Sequence, residues 1–322
     1  MLKRILRYFI MAPIMILMLG CIKDDVSCCN PGVEIQYYYT LNRNNTDLFG
    51  QKVHNMAIYI FDKDNLFYYY KLISDDNKLQ NDLPIKLKLP AGDYTIVSWG
   101  GNPEWYHFGE RVDMVGTVQD GLRKGITKLS DFRLSIQSYL ESDDAIAYEP
   151  VDLYYGLATP IKTFVDKKTY SSIALINNIH KLNISITGMS HITQDTDVPL
   201  DIYCIGSNGR YGHDNTIDES VGDVKYKPTT INIKGDVATT SIKVMRLMPS
   251  YKMILSVVNM KNGVVYYNFD LLPYIMKHPS YRSQQDLDRE EEFNIDLKID
   301  NDLNVVIWIN GWEITNIIPI ML

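Results

Sequence analysis

Cysteine is scarce, with four in 322 residues. Cys21 closes a hydrophobic leader, so the remainder is 28, 29 and 204, an odd set that cannot pair fully. Cys28 and Cys29 are adjacent, and neighbours rarely bridge each other because the chain geometry strains the bond. No CxxC and no Cys/His spacing points to zinc or redox chemistry. The histidines, at 54, 107, 180, 191, 213 and 278, never recur at ligand spacing on one element. No block of Lys or Arg exists and the net charge is −7, which argues against a nucleic-acid partner. Gly206 to Gly212 (Gly-Ser-Asn-Gly-Arg-Tyr-Gly) fits neither a dinucleotide nor a phosphate loop and reads as a hairpin loop. A Gly-x-Ser-x-Gly elbow is missing. Asp62-x-Asp64 lacks the glycine and distal Glu of a calcium loop. Glu290-Glu291-Glu292 and Asp24-Asp25 read as solvated carboxylate runs. The expectation is therefore a protein with no enzyme activity, no cofactor and no metal.

What is present begins at the N-terminus. Lys3, Arg4 and Arg7 precede an apolar run from Tyr8 to Leu19, broken only by Pro13. The run is too short for a membrane helix, which needs about 17–25 residues, but suits the core of a signal peptide. Met18-Leu19-Gly20-Cys21 follows and resembles a lipoprotein cleavage box, with cleavage between Gly20 and Cys21 and acylation of the Cys21 thiol. The residues alone leave an ordinary secretory peptide open. Removing 1–20 takes away three cations and no anion, leaving 29 cations against 39 anions, net −10. Lys23-Asp24-Asp25 just behind Cys21 resembles the surface-export signal of Bacteroidetes lipoproteins, beside the plainer reading of a solvated tether.

Hydrophobics at 46% and charges at 22% are globular values, and the length suggests two domains at about 150 residues each. Twenty-three tyrosines favour pleated, half-buried surfaces. Period-two alternation predicts strands at 33–40, 85–89, 182–187 and 293–299. Met56 to Phe61 reads as a buried strand, joined through Asp62-Lys63-Asp64-Asn65 to a partner at 66–72. Pro90-Ala91-Gly92-Asp93 turns the chain into Tyr94–Trp99 as a return strand, and Asn262-Gly263 links 253–258 to 264–269. Ile202-Tyr203-Cys204-Ile205 reads as a strand with a buried thiol. Asp131 to Ser142 reads as a short helix or covering loop. The fold class is all-β, two tandem β-sandwiches: signal peptide 1–20, tether 21–32, sandwiches 33–166 and 167–322.

Several segments together resemble the fimbrillin superfamily of Bacteroidales pili. They are Met56 to Asp62, the Ile85–Trp99 unit with Leu-Pro-Ala-Gly-Asp-Tyr at its centre, Asn177 to Ile186, and Val305 to Trp312. The start, Cys21-Ile-Lys-Asp-Asp-Val-Ser, is similar to the FimB-type anchor lipoproteins of that superfamily. The resemblance implies transthyretin-like sandwiches, lipidation at Cys21 with palmitate among the acyl chains, and outer-membrane, surface-exposed localisation. It also implies fimbrial shaft subunits as partners, a basal anchoring role, and a part in limiting fibre length. The apolar tail Ile314-Thr315-Asn316-Ile317-Ile318-Pro319-Ile320-Met321-Leu322 is either a subunit-joining strand or groove cover, or simply a last core strand. On the first reading Ile314, Ile317, Ile318, Ile320 and Leu322 make the joint. The alternative function is a surface glycan-binding lipoprotein using outward aromatics such as Trp99, Trp105 or Trp312.

Overall fold

The computed structural model describes residues 32–109, 121–191, 199–302 and 304–319. The leader, Gly20, Cys21, Lys23, Asp24, Asp25, Cys28, Cys29, Ile320 and Leu322 lie outside the described residues.

The chain is built almost wholly of strands. The first group is β1 (Val33–Tyr38), β2 (Asn55–Phe61), β3 (Phe67–Ile73), β4 (Ile85–Leu87) and β5 (Gly92–Gly101). Next come β6 (Tyr106–Gly109), β7 (Arg133–Ile136), β8 (Ser138–Glu141), β9 (Asp144–Ala147), β10 (Leu153–Thr163), β11 (Thr169–Ala174) and β12 (Ile176–Asn177). The rest are β13 (Ile179–Thr187), β14 (Leu200–Gly206), β15 (Arg210–Gly212), β16 (Val224–Tyr226), β17 (Ile231–Lys234) and β18 (Val237–Met245). They end with β19 (Met253–Asn259), β20 (Val265–Asp270), β21 (Glu292–Ile299), β22 (Asn304–Ile309) and β23 (Trp312–Pro319). Among the described residues, three short α-helices, α1 (Phe49–Lys52), α2 (Leu272–Ile275) and α3 (Gln284–Asp288), fill corners.

The strands form two sandwiches. In the first, the sheet β11-β1-β4 faces β12-β10-β5-β2-β3 over a core that includes Val33, Ile35, Tyr37, Ile58, Ile60 and Ile96. In the second, β17-β18-β13-β21-β22-β23 faces β20-β19-β14-β16-β9-β8, with Leu182, Ile184, Phe293, Ile295, Ile202 and Leu255 between them. A small sheet, β15-β7-β6, covers the outer side of the first sandwich's larger sheet. There Phe108 and Phe132 meet Tyr59, and Trp99 packs on Tyr155. This cover explains the unbroken apolar run at 56–61: Met56, Ile58 and Ile60 enter one core while Ala57, Tyr59 and Phe61 enter the other. A strand buried on both faces loses the alternation that marks a half-exposed one.

Three differences from the sequence expectations have physical causes. Residues 131–142 are not a helix or plain loop: after a short 3₁₀ turn they form β7 and β8. The partners of β7 are distant, since it pairs with β6 and with β15 some 75 residues on, as in Arg210↔Ser135, while β8 folds back on β9 in a tight hairpin. Four-residue strands stabilised by such contacts carry little local signal. Strands β4 and β5 do not pair as a hairpin; β4 pairs with β1 and β5 with β2 and β10, so the Pro90–Asp93 turn carries the chain between sheets. Past residue 166 the chain continues in the first sandwich, where β11 lies parallel to β1 and β12 pairs with β10. By hydrogen bonding the changeover comes between Asn177 and Ile179. Gly156 allows that return, because a Cβ there would lie 2.5 Å from the Ile173 side chain on β11.

Candidate assembly surfaces

The tether would meet the fold at Gly32. Its φ is +64°, and a Cβ would fall 2.1 Å from the Leu87 carbonyl oxygen, so only glycine fits without displacing β4. The next residue opens β1, the middle strand of its sheet, with Val33 opposite both Thr169 and Leu87. Val33, Ile35 and Tyr37 point inward and are buried. The Tyr37 hydroxyl is 2.7 Å from Ser98 Oγ across the core. On the outer face Glu34 takes Lys168 at 2.7 Å and Lys86 at 3.6 Å. The Lys168 hydrogen bond is the chief cause of a Glu34 carboxyl held below its usual pKa. A pull at the N-terminus therefore loads the β1–β11 and β1–β4 ladders along their length and not one bond at a time.

The other end of the described chain is an edge. β23 pairs antiparallel with β22 through six residue pairs from Ile309↔Trp312 to Asn304↔Pro319, with a register shift between Val306 and Ile307. Ile314 is buried, while Ile317 and Ile318 hold strand positions opposite Val306 and Val305. Pro319 is the last described residue of the strand, and its place on an edge strand accords with proline's confinement to sheet edges. In this structure residues 312–319 thus complete their own sheet. An edge strand is also the element most easily exchanged or extended by a partner.

Between these ends the halves are bolted by polar groups. Arg43 pairs with Glu290, Lys52 Nζ lies 3.0 Å from Glu291, and the Tyr39 hydroxyl donates to Glu291 at 3.3 Å. Lys181 pairs with Glu292 at 3.4 Å. Glu290 and Glu291 therefore clamp the seam, while Glu292 pairs within its own sheet, so the run is not merely a solvated patch. A lone sequence could not say so, because its partners lie about 240–250 residues upstream or on another strand. Deeper in, Arg246 holds Asp288 with two 2.7 Å hydrogen bonds, and Gln284 Nε2 adds a third at 2.7 Å. His180 Nδ1 accepts from the Leu247 amide at 3.0 Å, so its Nε2 donates to the Leu287 carbonyl at 3.2 Å. Burial pushes the imidazole pKa down to about 4. Asn178 and Asn215 exchange amide hydrogen bonds at 2.6 and 2.9 Å.

The aromatics named for glycan binding divide. Trp99 is fully buried and offers no face to solvent, so it is excluded as a sugar platform. Trp105 and Trp312 are exposed, at 57% and 53%, but sit on separate elements. Cys204 lies on β14, fully buried, with its thiol pKa pushed up to about 12 by burial. Among the described residues no group of three His, Cys, Asp or Glu is placed to hold a metal ion. No helix among them is long and apolar enough to cross a membrane.

With two sandwiches, a strand-borne N-terminus and an edge-strand tail in view, comparison with known proteins decides the family. A family model described as fimbrillin-A associated anchor proteins Mfa1 and Mfa2 matches residues 26–318. The chain belongs to that family of fimbrial anchor proteins. Among solved structures, the fimbrial anchor protein Mfa2 from Porphyromonas gingivalis is similar at a TM-score of 0.67 and 20% identity, covering 88% of this chain and 98% of that one. A Bacteroides thetaiotaomicron protein described as a candidate polysaccharide-binding protein aligns at 0.74 and 21% identity, over 88% and 96% of the two chains. A Bacteroides ovatus protein described as a candidate adhesin aligns at 0.73 and 17%, over 89% and 94%. At such identities these structures carry the fold, and the family match carries the family. No match was found among curated protein sequences. As a fimbrial anchor family member the chain is a protein of the cell envelope and of cell adhesion, with fimbrial subunits as its class of partner.

Proposed function

We propose that this protein is a lipid-anchored basal subunit that fastens a fimbrium to the outer membrane and plays no catalytic part. The observation that carries the reading is the route of force from the tether. Residues 22–32 give at most about 36 Å of reach and run into a strand gripped on both sides. Several acyl chains on Cys21 hold such a load, whereas one chain binds a membrane only marginally and reversibly. Lys23, Asp24 and Asp25 direct the protein to the outer leaflet, so replacing them with Ala leaves it protected from protease added to intact cells.

Shaft subunits join at the β22–β23 edge, with Ile314, Ile317, Ile318, Ile320 and Leu322 as the exchanging strand or its cover. Incorporation of a lipidated unit ends growth at the base, so raised expression shortens the fibres. The joining reading has a direct test in a disulfide between Val306→Cys and Ile317→Cys, positions that are register partners on β22 and β23. The oxidised variant fails to co-purify with shaft protein and the reduced one recovers. Equal recovery in both states would mean the tail is only a last core strand.

A further inference from the structure

The outer face of β17-β18-β13-β21-β22 carries a feature that anchoring does not use. A cavity of about 730 Å³ lies between this face and the segment 227–230. A second, of about 470 Å³, lies beside Arg43, Lys52 and Glu291 at the seam. Asn294 lines both, so the two meet in one polar track.

One row of side chains crosses the floor. Asn232 is opposite Thr239, Thr239 opposite Ser185, and Ser185 opposite Asp296, and all four line the cavity. Directly opposed residues share a face, and strand spacing makes this row about 14 Å long. The side chains of Asn232, Thr239, Ser185 and Asp296 make no hydrogen bond with any described residue. The adjacent row is the opposite case. Ser241 Oγ donates to Asn183 at 2.7 Å, and Asn183 Nδ2 donates to Glu292 and Asn294 at 3.0 and 3.1 Å. The wall is tied down, with the Thr229 hydroxyl donating to Glu149 at 3.0 Å and Thr240 donating to the Thr230 carbonyl at 2.7 Å.

The rim cations are already neutralised: Lys243 by Glu149 at 3.1 Å, Lys181 by Glu292 at 3.4 Å and Lys227 by Glu141 at 2.7 Å. An anionic polymer would meet the unpaired Asp296 on the floor. A protein partner needs an apolar patch at the centre of its interface, and this floor is hydroxyl, amide and carboxylate. What fits is a chain of neutral hydroxyls, each able to donate and accept, so that one group satisfies Ser, Thr, Asn and Asp alike. We propose that this groove is a binding site for a neutral glycan chain lying across the strands. The site is independent of the anchor reading.

The test is titration calorimetry on the full mature chain with maltoheptaose, laminarihexaose and mannohexaose, beside polygalacturonate as an anionic counterpart. One of the neutral chains binds saturably. Asp296→Ala weakens it about tenfold, the loss of roughly one good hydrogen bond. Thr239→Arg, which fills the floor, abolishes binding while the melting temperature stays unchanged. The proposal is overturned if none of the three binds, if polygalacturonate competes for the same site, or if folded Thr239→Arg protein still binds. Detachment of fimbriae from Thr239→Arg cells would make the face a protein-docking surface and overturn it equally.

Discussion

Asp288→Asn is the substitution whose effect the structure fixes best. Asp288 and Arg246 expose only 4% and 8% of their side chains, and the carboxylate accepts from Arg246 Nε, an Arg246 terminal nitrogen and Gln284. Asparagine keeps the shape but turns one acceptor into a donor that faces a donor. The guanidinium is then a buried charge without its counter-charge. Breaking a buried pair from one side costs about 3–5 kcal/mol. Against a total stability of about 5–15 kcal/mol that is a large share. Urea unfolding at neutral pH, followed by tryptophan fluorescence, should show this loss as a lower midpoint with the slope unchanged. The double change Arg246→Met/Asp288→Leu removes both charges at similar volume and should restore most of it, because apolar replacement of a buried pair is often neutral or better. A single-mutant loss below about 1 kcal/mol, or a double mutant as unstable as the single, would refute the reasoning.

Three further outcomes follow from the same structure. His180 has a folded pKa of about 4 against an ordinary 6.5, so the unfolded chain takes up its proton first and stability falls as pH drops from 6.5 toward 4. The lost amount approaches roughly 3 kcal/mol, and a His180 variant whose acid unfolding curve matched the parent's would contradict it. Gly32→Ala should cost about 1–3 kcal/mol, from a left-handed backbone and the clash with Leu87, as read by thermal unfolding; no change would mean the tether junction is not held. In a Cys28→Ser/Cys29→Ser background lacking the leader and Cys21, Cys204 should ignore a thiol reagent in the native protein and react fully in denaturant. Rapid native reaction would place the thiol at the surface.

Much of the fold was legible because its strands are half-buried. Ile295, Leu297 and Ile299 alternate with Asp296 and Lys298, and the pattern alone assigned β21. The Asn262-Gly263 turn likewise announced the β19–β20 pair. Strand β7 was illegible because its partners β6 and β15 are distant in sequence, and the local β8–β9 hairpin turns through Ser142-Asp143 without a glycine to announce it. The continuation of the first sandwich to Asn177 was hidden for a related reason: a parallel β1–β11 pair leaves no turn signal between its strands. In the candidate sites, the edge position of the tail was suggested by Pro319, whereas the clamp roles of Glu290 and Glu291 depend on Arg43 and Lys52 folding against them. The polar row on the outer face was invisible, since Asn232, Ser185 and Asp296 become neighbours only through strand register.

The central claim is that the protein holds a fibre to a membrane through an acylated thiol. Electron microscopy of cells carrying Cys21→Ala, with radiolabelled palmitate incorporation followed in parallel, tests it most directly. The account predicts no label in the variant and fimbriae shed into the medium. Fimbriae still attached to cells whose protein carries no acyl chain would contradict it.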